Sequence, residues 1–276
     1  MQHKESTFSG HDNLDLYYQS WRPDTEPKAT LIIVHGLGEH SGRYMNLVNL
    51  LLAADYAVYA FDNRGHGRSP GKRAYINKFD EYRQDVDLFQ KLVMGEEGKR
   101  PLFIMGHSLG GLITLYTLLH DSSGYTGTII SAPALDTGGV SALLIAASKL
   151  LSKIKPDLSV ATGLDATGIS RDPAVVAAYQ ADPLVHDKGT PRLAVESPAA
   201  MAWCEEHVAN LQIPILMIHG TDDRLTSPIA SRAFFDNLTV TDKTYIRYDG
   251  GYHESLNDIH HEQVAADIQN WLDAHL

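Results

Sequence analysis

The chain has 276 residues, 43% of them hydrophobic and 21% charged, a balance typical of one folded domain and not of a disordered chain. Its formal net charge of −11 repels phosphate backbones and argues against a nucleic-acid partner. The single cysteine, Cys204, excludes an internal disulfide, no run of 18 apolar residues is present, and the N-terminal stretch lacks the apolar centre of a signal peptide; these features predict a cytoplasmic protein with no transmembrane helix.

In chain order, residues 14–21 (LDLYYQSW) alternate as an early antiparallel strand does. Residues 29–36 (ATLIIVHG) form a continuous, partly β-branched apolar run, the pattern of a strand buried on both faces. The same pattern returns at 56–63, 101–107, 127–133, 214–220 and 244–250, with helical periods between, as at 81–94 and 109–119. Alternating β and α segments predict a mostly parallel sheet with helices on both faces. The interval 133–212 breaks the rhythm. It reads as helices at 140–154, 173–180 and 198–211 joined by loops, and an interruption of this length inside a compact domain points to a lid. The expected division is therefore core 1–132, helical cap 133–212 and core 213–276.

Chemistry concentrates where the strands end. GHSLGG, residues 106–111, joins an apolar strand to an apolar helix. G-x-S-x-G in that setting is a nucleophile elbow, with Ser108 raised at the carboxyl edge of the sheet and the N–H of Leu109 beside it. The competing reading is a helix cap. A serine hydroxyl needs a base, and the base needs an acid to orient it. In this architecture the acid and then the histidine follow the serine. HGTDDRL supplies Asp222 and Asp223 after one strand, and spacing does not separate the two. GGYHESL supplies His253 after the next strand, whereas His260, His261 and His275 fall on or near the terminal helix, which reads as a solvated face. VHGLGEHSGRY, residues 34–44, is a turn after the most apolar early strand and offers the Leu37 N–H as a second oxyanion donor. Two glycine-rich stretches, GLGEHSG and GHGRSPG, fit neither nucleotide-loop pattern, and no H-E-x-x-H occurs, so neither a cofactor nor a metal is expected. The helical segment at 140–154, which includes Leu143 and Leu144, has three readings: it lines an acyl tunnel, touches a lipid surface, or packs on the core.

Together HGLGEHSGRY, FDNRGHGRSPGKR, GHSLGG, ISRDPAVVAAYQADPL, HGTDDRL and GGYHESL resemble the α/β-hydrolases of the monoacylglycerol lipase and lysophospholipase group over nearly the whole chain. The resemblance implies the α/β-hydrolase fold, a mostly parallel central sheet flanked by helices with a helical cap inserted after the sixth strand. It implies Ser108 as nucleophile, Asp223 as acid and His253 as base, with Leu37 and Leu109 as oxyanion donors. It also places Glu39 and Arg43 near the leaving glycerol, although the two also stand four residues apart, as an ion pair does. Leu256 stands where the animal lipases carry a further histidine. The implied activity is hydrolysis of a small lipid ester, most directly monoacylglycerol; the apolar segment at 140–154 adds the expectation of transient lipid-surface contact through the cap. The alternatives are a lysophospholipase or general carboxylesterase with the same triad, and a non-catalytic binding protein of the same fold.

Overall fold

Two strands come first in the computed structural model, β1 (Gln2–Ser9) and β2 (Asp15–Arg22), paired antiparallel from Gln2↔Arg22 to Ser9↔Asp15. The structure describes residues 1–137 and 142–276, with the backbone alone for residues 142–145. Strand β1 is absent from the sequence reading, and the reason is physical. Phe8 is its one buried side chain, so backbone pairing to β2 holds it and no apolar alternation marks it.

The apolar runs then follow as β3 (Ala29–Val34), α1 (Met45–Ala53), β4 (Tyr56–Phe61), α2 (Asp80–Glu97), β5 (Leu102–His107), α3 (Leu109–His120) and β6 (Gly127–Ser131). After β6 come α4 (Ala142–Ile154), β7 (Val160–Ala161), α5 (Pro173–Ala181), β8 (Lys188–Gly189) and α6 (Pro191–Glu206). The chain returns to the sheet with β9 (Ile215–Gly220), α7 (Pro228–Asn237), β10 (Lys243–Tyr248) and α8 (His261–Asp273). The main sheet runs β1-β2-β4-β3-β5-β6-β9-β10. Strand β2 lies antiparallel to β4, and every pair from β4 to β10 is parallel.

Strands β3, β4, β5, β6 and β9 are buried at every position. Because side chains alternate between faces, each strand feeds two cores. Ile32, Val34, Ile104 and Met217 pack with Phe89 of α2 and Leu112 of α3. Leu31, Ile33, Phe103 and Leu216 pack with Leu47 and Leu51 of α1 and with Ile268 and Leu272 of α8. Parallel strands covered in this way deliver their carboxyl ends to one edge.

The insertion after β6 closes over that edge through backbone and polar bonds. The His186 N–H donates to the Gly38 carbonyl at 2.9 Å, and the Glu254 N–H donates to the Ile169 carbonyl at 2.8 Å. Thr190 Oγ1 donates to the Ala74 carbonyl at 2.8 Å, and Arg171 Nε meets Asp258 Oδ2 at 2.9 Å. Strands β7 and β8 form only a two-residue antiparallel bridge inside it. One helix differs from expectation. The segment read as starting at residue 198 begins at Pro191 and carries Pro198 in its interior. Thr190 caps it by accepting from the Leu193 N–H at 3.2 Å, and Pro191 sits in the first turn, where the missing N–H removes no helical bond. The Thr-Pro cap therefore sets the start, and the later proline is tolerated at the loss of one internal bond. Replacing Thr190 by Ala is expected to lower stability by about 1–2 kcal/mol, seen as a lower urea midpoint at unchanged m-value.

Candidate active site

Ser108 occupies the junction between β5 and α3 with φ 55 and ψ −119, a conformation that a non-glycine residue holds only under constraint. The constraint is local. The Ser108 N–H donates to the Ser131 carbonyl at 3.0 Å, and the Ala134 N–H donates to the Ser108 carbonyl at 3.0 Å. Helix α3 lies so close to β3 that a Cβ at Gly110 would sit 2.1 Å from the Val34 carbonyl oxygen, so only glycine allows the approach. The Ser108 side chain makes no capping hydrogen bond to the helix it precedes, which removes the helix-cap reading. Leu109, the first residue of α3, points its N–H out of the helix end, where no intrahelical acceptor exists.

The turn after β3 borders the same point, since a Cβ at Gly36 would lie 3.0 Å from Ser108 Cβ. Glu39 pins this turn. Its Oε1 accepts from the Gly36 N–H at 2.7 Å and from the Tyr44 hydroxyl at 2.8 Å. Leu37 follows Gly36 and packs partly buried against the core. Arg43 pairs with Glu39 at 3.2 Å, as their spacing allowed, but its stronger bond is elsewhere. Nη1 and Nη2 grip both oxygens of Glu254 at 2.5 and 2.7 Å, and the guanidinium lies 4.6 Å from the Tyr179 ring centroid. Burial works against the Arg43 charge, but the two carboxylates outweigh it and raise its pKa.

His253 Nδ1 stands 2.7 Å from Asp223 Oδ2. That separates the two candidate acids, because Asp222 is exposed and hydrogen-bonds with the neighbouring Thr221. Asp223 Oδ1 accepts from the Leu225 and Thr226 N–H groups at 2.7 and 3.1 Å. The insertion holds the histidine from above, the His253 N–H donating to the Gly168 carbonyl at 3.3 Å. Burial alone lowers the His253 pKa, but the charge and hydrogen bond of Asp223 outweigh it and raise it above the ordinary value. Burial likewise disfavours the Asp223 charge, yet His253 and His219 hold the carboxyl well below its usual range. Ser108 and His253 reach the same edge with no direct hydrogen bond between them among the described residues. His107, the residue before Ser108, places its ring 4.7 Å from that of His253.

Several neighbours were not read from the sequence. His107, His219, Thr226 and Glu254 all border the Asp223–His253 pair. With 14 histidines in the chain, residue type alone carried no signal. The one available signal was position, since His219 stands near the end of β9 four residues before Asp223, and Thr226 stands three residues after it. His260 departs from the solvated reading: it stacks on Tyr248 at 5.0 Å and pairs with Arg171. Leu256 is buried, and with Glu39, Tyr44, His107, Glu254 and Asn257 it surrounds a cavity of about 10 Å³, room for one water molecule. The side chains of Leu143 and Leu144 lie outside the described residues.

A family model described as "Serine aminopeptidase, S33" matches residues 25–260. A monoacylglycerol lipase of Mycolicibacterium smegmatis is 35% identical over 274 residues, covering 99% of this chain and 98% of the relative. A monoglyceride lipase of Rattus norvegicus is 30% identical over 271 residues, covering 95% and 88%. Among solved structures, the monoacylglycerol lipase of Paleococcus ferrophilus superposes with a TM-score of 0.87 at 36% identity, over 95% of this chain and 99% of that one. The electrostatics of the pair are directly testable. An NMR titration is expected to find His253 protonating above about pH 6.5, the ordinary histidine value. His107, pushed down to about 3 by burial and by the charge of His253, should stay neutral at pH 5.

Proposed function

The chain belongs to the Serine aminopeptidase, S33 family and is a carboxylic ester hydrolase of the α/β-hydrolase fold, and from that premise we propose that it cleaves monoacylglycerol to a fatty acid and glycerol through Ser108, His253 and Asp223. The observation that carries the reading is the strained, uncapped Ser108 at the end of β5, at the same sheet edge as the His253–Asp223 pair held at 2.7 Å.

In this reading His253 Nε2 takes the Ser108 hydroxyl proton as Oγ bonds to the ester carbonyl carbon. The carbonyl π electrons move to oxygen, and the resulting oxyanion accepts from the Leu37 and Leu109 N–H groups, aided by the positive end of α3. Collapse restores the carbonyl, breaks the bond to the glycerol oxygen, and passes the His253 proton to that oxygen. Water then repeats the sequence. It gives a proton to His253 as it adds to the acyl carbon, and collapse expels Ser108 Oγ, which takes the proton back. Asp223 keeps the His253 proton on Nδ1 and stabilises the imidazolium.

Glu39, Arg43 and Glu254 stand beside this centre as a closed ion cluster. They support a polar leaving group such as glycerol, held by hydrogen bonds at the cluster's rim. They do not support a peptidase recognising an N-terminal amine, because Arg43 already occupies both carboxylates. The cap domain, residues 133–212, is proposed to shelter the acyl chain and to meet lipid surfaces transiently. Among the described residues no helix is long and apolar enough to cross a membrane. Yet Leu150 is 61% and Ile154 71% exposed on α4, with Lys149, Lys153 and Lys155 alongside, the make-up of a segment that rests on an interface.

Three measurements test this. Ser108→Ala should cut turnover by roughly 10³ or more while circular dichroism stays unchanged; near-wild-type hydrolysis by that variant would sink the nucleophile. Monoacylglycerols should outrun lysophospholipids and short p-nitrophenyl esters in a substrate panel, and faster lysophospholipid turnover would select the alternative leaving group. Leu150→Ser with Ile154→Ser should weaken partitioning onto liposomes; equal partitioning would remove the lipid-surface role.

A further inference from the structure

We infer that His219 is a positioning residue, acting through Asp223 to set how tightly that carboxylate holds His253. The inference rests on the Ser108, His253 and Asp223 reading above.

His219 is the penultimate residue of β9, and its Nε2 lies 2.9 Å from Asp223 Oδ2. That is the same oxygen that His253 Nδ1 approaches at 2.7 Å. Thr226 Oγ1 lies 2.8 Å from it as well. An ionised carboxylate only accepts, so His219 must donate from Nε2. Two imidazole N–H groups therefore compete for one oxygen. Each further donor stabilises the Asp223 charge and weakens what the carboxylate offers to His253.

The placement is not explained by packing. The strand is otherwise apolar from Ile215 to Ile218, and the His219 side chain is fully buried. Its Nδ1 has no hydrogen-bond partner among the described residues. A buried acceptor without a partner is destabilising, and an apolar residue like Met217 two positions earlier would avoid that. The bond to Asp223 is what the position retains. The other charged or titratable groups facing the cluster are His107 from β5, Glu39 and Arg43 from the turn after β3, and Glu254 beside His253. Arg247 stands in register with His219 on β10.

The test compares the pH dependence of kcat/KM for p-nitrophenyl ester hydrolysis in wild type, His219→Phe and His219→Gln. The acid limb reports the base of the free enzyme. His219→Phe removes the competing donor, leaves Asp223 bound more tightly to His253, and should move that limb up by roughly one pH unit, the size of one charge-assisted hydrogen bond. His219→Gln returns an N–H near the position of Nε2 and should restore the wild-type limb. A folded His219→Phe enzyme with an unmoved limb overturns the inference, and so does a Gln variant that behaves like Phe. If His219→Phe does not fold, ¹H–¹⁵N spectra of the wild type decide: His219 must carry a proton on Nε2, and a proton on Nδ1 alone overturns the assignment. Failure of the underlying reading is seen separately, as near-wild-type turnover by Ser108→Ala or Asp223→Asn, whatever the His219 variants do.

Discussion

Five strands of the sheet are buried on both faces, and a strand in that position has no room for chemistry along its length. Its polar work must be done at its ends. Because these strands run parallel, their carboxyl ends share one edge, and Ser108, Asp223 and His253 each follow a strand that ends there. The edge is tight. Strand β3 and helix α3 approach so closely that residue 110 must be glycine, and Ser108 sits in its strained turn two residues before that contact.

Around that edge the carboxylates of Asp223, Glu39 and Glu254 are each held by donors. Asp223 is almost fully enclosed, and five donors converge on its two oxygens. Arg43 stands between Glu39 and Glu254, leaving one excess negative charge beside His253. An uncompensated ion at such depth is strongly destabilising. Paired ions instead give a fixed field, which favours the imidazolium of His253 while burial keeps His107 neutral at its side. Two rings at 4.7 Å thereby hold opposite tendencies.

The insertion after β6 completes the site by clamping backbone to backbone. It binds the Gly38 carbonyl on one side and the His253 N–H on the other. The turn after β3 and the loop that carries His253 are therefore held by the insertion as well as by the sheet. These ties use main-chain atoms of residues such as His186, Gly168 and Ile169, whose side chains gave no warning of the role.

The sequence by itself determined the sheet and the order of its chemistry. Continuous apolar runs of strand length bounded by turns read as strands buried on both sides, which holds for β3, β4, β5, β6 and β9 but not for the edge strand β10, and G-x-S-x-G between such a run and an apolar helix reads as a sharp turn. Only the tertiary structure decided what lay outside those periodicities. It showed β1, because backbone pairing leaves no apolar pattern in QHKESTFS. It set Asp223 and not Asp222 against the His253 ring, because neighbouring residues differ in direction and not in spacing. It joined Arg43 to Glu254, 211 residues away, and it set His219 against Asp223. Contacts between side chains from distant strands depend on distance in space, and one-dimensional spacing does not carry that distance.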